Sequence, residues 1–132
     1  MSRDFPLPGG ALGVRLRRLL DSLERPEAGG GEGGWAPAVD IVETPEAVVI
    51  VAELAGVSRA ETRVIVDGQV VRIYGRREPT VLAGAARFHR MEIETGEFVR
   101  SFRVTVPFDA DQIMATMSDG LLKITLPKLA RG

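Results

Sequence analysis

The chain has 132 residues with 17 Lys+Arg against 18 Asp+Glu, so its formal net charge is −1, and 45% of its residues are hydrophobic. This length and composition fit a single water-soluble domain with flanking segments. The near-zero charge disfavours nucleic acid as a partner, because nucleic-acid binders need clustered Lys and Arg against phosphates. The sequence has no cysteine, which excludes disulfides, Cys-ligated metals and a thiol nucleophile and makes the cytoplasm the expected location.

Five leucines recur at helical spacing and predict an amphipathic helix over residues 11–25. They are Leu12, Leu16, Leu19, Leu20 and Leu23. Arginines between them exclude a signal-peptide core or a membrane span of about 20 apolar residues. A helix this short is marginal alone in water, so its leucine face needs a partner. We expect self-association or capture of another apolar chain. Docking back on the chain's own domain remains an alternative, and a membrane-surface anchor is disfavoured because acidic residues balance the arginines.

Glycine divides the chain near residue 34. Eight of the 15 glycines precede Trp35, and the stretch 26–34 holds five of them with no apolar side chain larger than alanine. Such a composition predicts a flexible tether. We therefore expect an arm at 1–34, a folded domain at 35–128 and a short tail at 129–132.

After residue 35 the hydrophobic period changes from about 3.6 to 2, and turn residues separate short runs, which predicts an all-β sandwich. The predicted strands are 39–43, 47–54, 62–66, 70–74, 97–106, 112–117 and 121–126. The run 47–54 is apolar on both faces, which indicates a central strand or a strand at an interface. Asp67-Gly68 predicts a hairpin with a type I′ turn. A long loop follows from 76 to 86, with a possible short strand at 88–93.

The sequence offers little for catalysis or for a cofactor. The single histidine, His89, lacks neighbouring metal ligands, and no nucleophile motif or phosphate-binding glycine loop precedes a helix. Glu92 and Glu94 are expected on one solvated strand face rather than in a carboxylate pair. We expect a protein that is not an enzyme and that uses no metal or other cofactor.

Arg100 is the one anomalous polar residue of the predicted sandwich. Within 97–106 it shares a strand face with Phe98, Phe102 and other apolar residues. A guanidinium there needs carboxylates or backbone carbonyls for its donors, so Arg100 is expected to be a structural clamp or a subunit contact. The alternative is a local twist or bulge that turns it to solvent.

Four segments resemble, in order, the motifs of the small heat-shock proteins of the α-crystallin class, over nearly all of 35–128. They are 35–44 together with 53–57, then 70–77, 96–107 and 113–128. The second closes an apolar strand with Gly-x-Arg, the third carries Gly-x-Phe-x-Arg ending at Arg100, and the fourth carries Ala-x-x-x-x-Gly-x-Leu. In the first, Ala55 replaces the proline of the family's Leu-Pro-Gly-Val turn.

The resemblance implies an immunoglobulin-like α-crystallin domain and an ATP-independent holdase, a chaperone that binds partly unfolded proteins and keeps them from aggregating under stress. The leucine face of 11–25 would then bind clients. The loop 78–95 would be a dimerisation arm, with Phe88, Met91 and Ile93 as its apolar contacts and with Arg100 in a dimer or structural role.

By the same likeness, a groove between the sheets would be lined by Val64 and Val66 on one side and Ile113 and Ala115 on the other. The family's usual Ile-x-Ile tail is missing from 129–132, so we expect a dimer or small oligomer rather than a large shell. The alternative function is a β-sandwich module that docks one specific folded partner, as co-chaperone domains do.

Overall fold

The computed structural model describes residues 2–4, 34–79, 84 and 86–130. The predicted helix 11–25, with its five leucines, and residues 26–33 of the predicted tether lie outside these ranges. The described residues comprise a domain that begins at Gly34 and one short strand that precedes it.

Two antiparallel four-stranded sheets form the described part of the chain. The strands are β1 Ser2–Asp4, β2 Val39–Glu43, β3 Ala47–Glu53, β4 Thr62–Asp67, β5 Val70–Arg77, β6 Gly96–Arg103, β7 Met114–Ser118 and β8 Leu121–Pro127, with a 3-10 turn at Arg59–Glu61. One sheet has the order β1-β4-β5-β6 and the other β2-β3-β8-β7. This arrangement confirms the predicted all-β sandwich.

Alternation along the strands places the core between the two sheets. Val64 and Val66 of β4 and Val71 and Ile73 of β5 are at most 2% exposed and face the other sheet. That sheet contributes alternate residues of β3 and β8 to the same cluster, which are Val48, Ile50, Ala52, Leu122, Ile124 and Leu126. Burial of these aliphatic side chains is the main source of stability for such a sandwich.

All seven predicted strands are present, with ends that shift by up to three residues, for example to Arg77 in β5 and to Arg103 in β6. β6 ends at Arg103 rather than at Val106, because its partner β5 begins at Val70, opposite Arg103. One further bond, from the amide of Val104 to the carbonyl of Gln69 (2.7 Å), joins the end of β6 to the β4–β5 turn. The possible strand at 88–93 is absent from the described residues. β1 was not predicted; it lies antiparallel to β4, with Arg3 opposite Val66.

The two Asp-Gly turns differ from each other. The β4–β5 hairpin is confirmed, but Asp67 pairs with Val70, so its loop is Gly68-Gln69 and only Gly68 (φ 62°) has positive φ. This is the pattern of a type II′ turn, so the type I′ prediction for Asp67-Gly68 is wrong. The β7–β8 loop, Asp119-Gly120, has positive φ at both residues (54° and 80°) and fits type I′.

Candidate functional site

Apolar surface, rather than a polar cluster, is the feature of the described residues that suggests a function. Eight large hydrophobic side chains in these ranges are exposed: Ile41, Val42, Phe88, Met91, Ile93, Met114, Leu121 and Leu129. In the same ranges no group of three or more His, Asp or Glu is placed to hold a metal ion. None of the described helices is long and apolar enough to cross a membrane.

The loop between β5 and β6 carries the three sequence-predicted dimer contacts in its second half. Phe88 is 61% exposed, Met91 63% and Ile93 72%, and the surrounding residues 86–94 are exposed as well. His89 lies among them, and the carboxylate of Glu92 pairs with the guanidinium of Arg90 (2.9 Å) on the surface. A monomeric protein rarely presents a concentration of large apolar side chains without a partner for it.

Arg77 fixes the base of this loop, a role that the sequence analysis did not foresee. Its Nε donates to the carbonyl of Glu94 (2.8 Å), as does its Nη2, and its Nη1 donates to the carbonyl of Ala55 (3.0 Å). The guanidinium carbon also lies 3.8 Å from the centre of the Trp35 ring. Since Arg77 ends β5 and Glu94 closely precedes β6, one side chain holds the two ends of the loop together.

Trp35 completes this junction. Its ring is 5% exposed and meets Phe98 edge-on, with ring centres 5.4 Å apart. Its indole N–H donates to the carbonyl of Gly96 (3.0 Å), and its amide donates to the carbonyl of Glu97 (3.1 Å). The start of the domain is therefore bonded to the start of β6, directly beside the loop base.

β2 offers a second apolar surface at a sheet edge. It pairs with β3 and lies at the end of the order β2-β3-β8-β7, so its other edge has no neighbour among the described strands. Ile41 and Val42 point to opposite faces of β2, and each is 49% exposed. An edge strand with apolar residues on both faces is suited to pairing with an added strand.

The four predicted groove residues belong to one cluster. Val64 and Val66 are at most 2% exposed, and Ile113 and Ala115 are 8% exposed, so all four lie in the core between the sheets. The outer edge of β4 is paired with β1. Little of these four side chains is therefore exposed to solvent, and their role as the lining of a groove stays a prediction.

Arg100 lies opposite Ile73 on β5, with a half-buried side chain. Its Nη1 donates to the carbonyl of Pro37 (2.7 Å), and its guanidinium carbon lies 5.1 Å from the centre of the Phe102 ring. A backbone carbonyl was one of the two acceptor types expected for it. Arg72 was not singled out by the sequence, yet it is the buried arginine of the sandwich, at 3% exposure.

Comparison with known proteins gives consistent matches. The model of the Hsp20/alpha crystallin family matches residues 40–132. The 18.3 kDa class I heat shock protein of Oxybasis rubra is 39% identical over 115 residues, which are 86% of this chain and 71% of that protein. The 18.2 kDa class I heat shock protein of Medicago sativa is 40% identical over 127 residues, 96% of this chain and 73% of that protein.

Among solved structures, a small heat-shock protein from Xylella fastidiosa, reported to have a distinct high order structure, matches with a TM-score of 0.68 and 37% identity. The match covers 74% of this chain and 90% of that one. The region that the family shares with this chain runs from β2 through β8 and includes both exposed apolar surfaces.

Proposed function

The chain belongs to the Hsp20/alpha crystallin family of small heat-shock proteins, which are chaperones of the stress response, and from this premise we propose that it is an ATP-independent holdase. In this role it binds partly unfolded proteins and keeps them from aggregating. The observation that carries the proposal is the exposure of eight large apolar side chains outside the core of the described domain.

Client capture is assigned to the leucine face of 11–25, defined by Leu12, Leu16, Leu19, Leu20 and Leu23. An unfolded client exposes apolar side chains, and a leucine face binds them without a specific sequence because hydrophobic attraction has no directional requirement. The groove of Val64, Val66, Ile113 and Ala115, whose side chains are buried in this structure, is the second site proposed for an extended segment of a client. We place this activity in the cytoplasm and the chaperone domain at 35–128.

The solved relatives support self-association, and we propose the surfaces that carry it. The loop 78–95 of one protomer acts as the arm, and the open edge of β2 in its partner receives it. Phe88, Met91 and Ile93 then find apolar cover against Ile41 and Val42. The clamp at Arg77 supports this proposal because it holds the arm's base while leaving its apolar residues outside the core.

The test is light scattering of a heat-unfolded model protein without ATP, with the intact chain and with a L16S/L20S variant. We expect suppression of aggregation by the intact chain at near-stoichiometric amounts and a loss of at least fivefold in potency for the variant. Leu129→Ser, which changes a leucine that is 52% exposed outside the arm and the helix, is the matched control and should keep full potency.

Absence of suppression by the intact chain would argue against a holdase and for the alternative, a module that docks one folded partner. Equal potency of the intact chain and the leucine variant would keep the holdase and remove the leucine face from client capture.

A further inference from the structure

The outward face of the sheet β1-β4-β5-β6 contains a buried patch, which we call the Ile65–Arg72 patch. Ile65 alternates with the core residues Val64 and Val66 and therefore points away from the other sheet. It is nevertheless 0% exposed, and it is not part of the inter-sheet cluster. Its cross-strand neighbour Arg72 points the same way and is 3% exposed.

Burial at this patch requires a cover on the outside of the sheet. The second sheet packs on the opposite face, through Val64, Val66 and their neighbours. Outward-facing positions of a two-layer sandwich are ordinarily solvated, arginine above all. A covering segment is therefore expected, and it has to offer apolar groups to Ile65, which presents only methyl and methylene groups.

β1 indicates which segment covers the patch. It adds to the outer edge of β4, and its last residue, Asp4, lies directly opposite Ile65. The chain thus leaves the sheet beside the patch, and it reaches the domain again at Gly34. The residues between them, 5–33, include Phe5 and Leu7 and, as the longest series of large apolar side chains, the leucine face of 11–25.

The dimensions agree with this assignment. A helix over 11–25 would be about 22 Å long at 1.5 Å per residue, and the six residues of β4 extend about 20 Å. Residues 5–10 can span up to about 20 Å and residues 26–33 up to about 27 Å, so each connection can be as long as β4 itself.

We propose that the Ile65–Arg72 patch is the docking surface for the chain's own leucine face, residues 11–25, when no client is bound. The leucines pack on Ile65 and on the methylene stem of Arg72. The docking goes beyond the holdase role. If the proposed holdase role and this docking both hold, the same leucines bind either the sheet or a client. Client capture then requires their release from the sheet.

The experiment uses thiol reactivity, because the natural chain has no cysteine and a single introduced thiol is unambiguous. The full-length variants I65C, V64C and M114C are treated with an excess of a disulfide reagent that reports by absorbance. We expect I65C to react at least tenfold more slowly than M114C, whose parent side chain is 63% exposed. In the I65C variant, the additional changes L16S/L20S should accelerate the thiol reaction at least tenfold. The same changes should leave the reaction rate of V64C unchanged, since Val64 is buried by the other sheet.

Two controls accompany the measurement. R17S/D21S has the same spacing on the polar face of the predicted helix and should leave I65C slow. R72C replaces I65C as the reporter if circular dichroism shows that the I65C sandwich is not folded.

Rapid reaction of I65C in the otherwise natural chain would overturn the proposal, as would slow reaction that the leucine changes do not accelerate. Protection that disappears on dilution would assign the cover to a second copy of the chain and would overturn it too. No client is present in any arm, so failure here is distinct from failure of holdase activity in the scattering assay.

Discussion

The inter-sheet core and the loop between β5 and β6 use similar side chains in opposite ways. Ile50, Leu122 and Ile124 are completely buried between the sheets, whereas Phe88, Met91 and Ile93 are 61–72% exposed. The core residues are buried by other residues of the same chain, on strands that pair side by side in each sheet. The loop residues are not buried in this way, although hydrogen bonds from Arg77 hold the base of the loop. The fold thus separates apolar residues that stabilise a protomer from apolar residues that are available to a partner.

The largest expected effect lies on the core side of this comparison. Leu122 pairs with Ala52 on one side and Met117 on the other and is 0% exposed, so Leu122→Ala leaves a cavity. We expect the free energy of unfolding, measured by urea denaturation, to fall by about 2–5 kcal/mol. The adjacent Leu121→Ala is the matched control, because Leu121 is 44% exposed, and it should change stability by less than about 0.5 kcal/mol. Similar losses for the two variants would contradict the division between core and surface.

The next effect concerns association rather than folding. Replacing Phe88, Met91 and Ile93 together by serine should weaken the dimer at least tenfold, equivalent to about 1.4 kcal/mol, because the arm loses the apolar area that a partner would cover. Analytical ultracentrifugation measures the mass, and urea denaturation should show an unchanged sandwich.

Met114→Ser is the control for the arm variant, since Met114 is equally exposed at 63% but lies on β7. A dimer that survives the triple replacement, or that is lost equally in the control, would show that 78–95 is not the arm.

The same comparison explains which parts of the structure could be predicted. Strands follow from local alternation, as in Val64 and Val66 or Val71 and Ile73, and β3, with apolar residues on both faces, is indeed central between β2 and β8. Turn register is less certain from sequence, because Asp67-Gly68 and Asp119-Gly120 share two letters and yet adopt different turns.

The sequence pattern does not predict contacts between segments that are distant along the chain. Arg77 and Trp35 are 42 positions apart, and nothing in the letters Arg76-Arg77 says which of the two bonds the far end of the loop. β1 gave no signal either, because Ser2, Arg3 and Asp4 have no strand pattern and the edge of β4 supplies their pairing. The sequence predicts β2 as a strand but does not predict that its apolar residues are exposed, since their exposure depends on which strand lies at the edge of the sheet.

The clamp that separates the loop from the core gives a third effect, which is again on stability. Arg77→Met removes charge-assisted hydrogen bonds to the carbonyls of Glu94 and Ala55 and the contact with the Trp35 ring. We expect the free energy of unfolding to fall by about 1–3 kcal/mol. Because Trp35 is the chain's single tryptophan, a red shift of its fluorescence reports the loosened junction directly.

Arg76→Met is the matched control for Arg77, since Arg76 bonds only the exposed carboxylate of Glu78 among the contacts described (3.1 Å), and such a pair contributes about 0–1 kcal/mol. Equal fluorescence of the natural chain and Arg77→Met would mean that the loop base is held by the backbone alone.

The smallest effect tests whether Arg100 belongs to the core side or to the partner side of the comparison. Arg100→Ala removes a hydrogen bond to the carbonyl of Pro37 and should lower stability by about 1 kcal/mol, because that carbonyl is left without its donor in a half-buried position. Arg103→Ala is the control, since Arg103 is exposed and bonds the side chain of Gln69 (3.2 Å). If Arg100 also contacts the partner, the mass at low concentration falls with Arg100→Ala and not with Arg103→Ala. Unchanged melting together with unchanged mass would remove Arg100 from both roles, whereas lowered melting at constant mass would make it a clamp within one protomer.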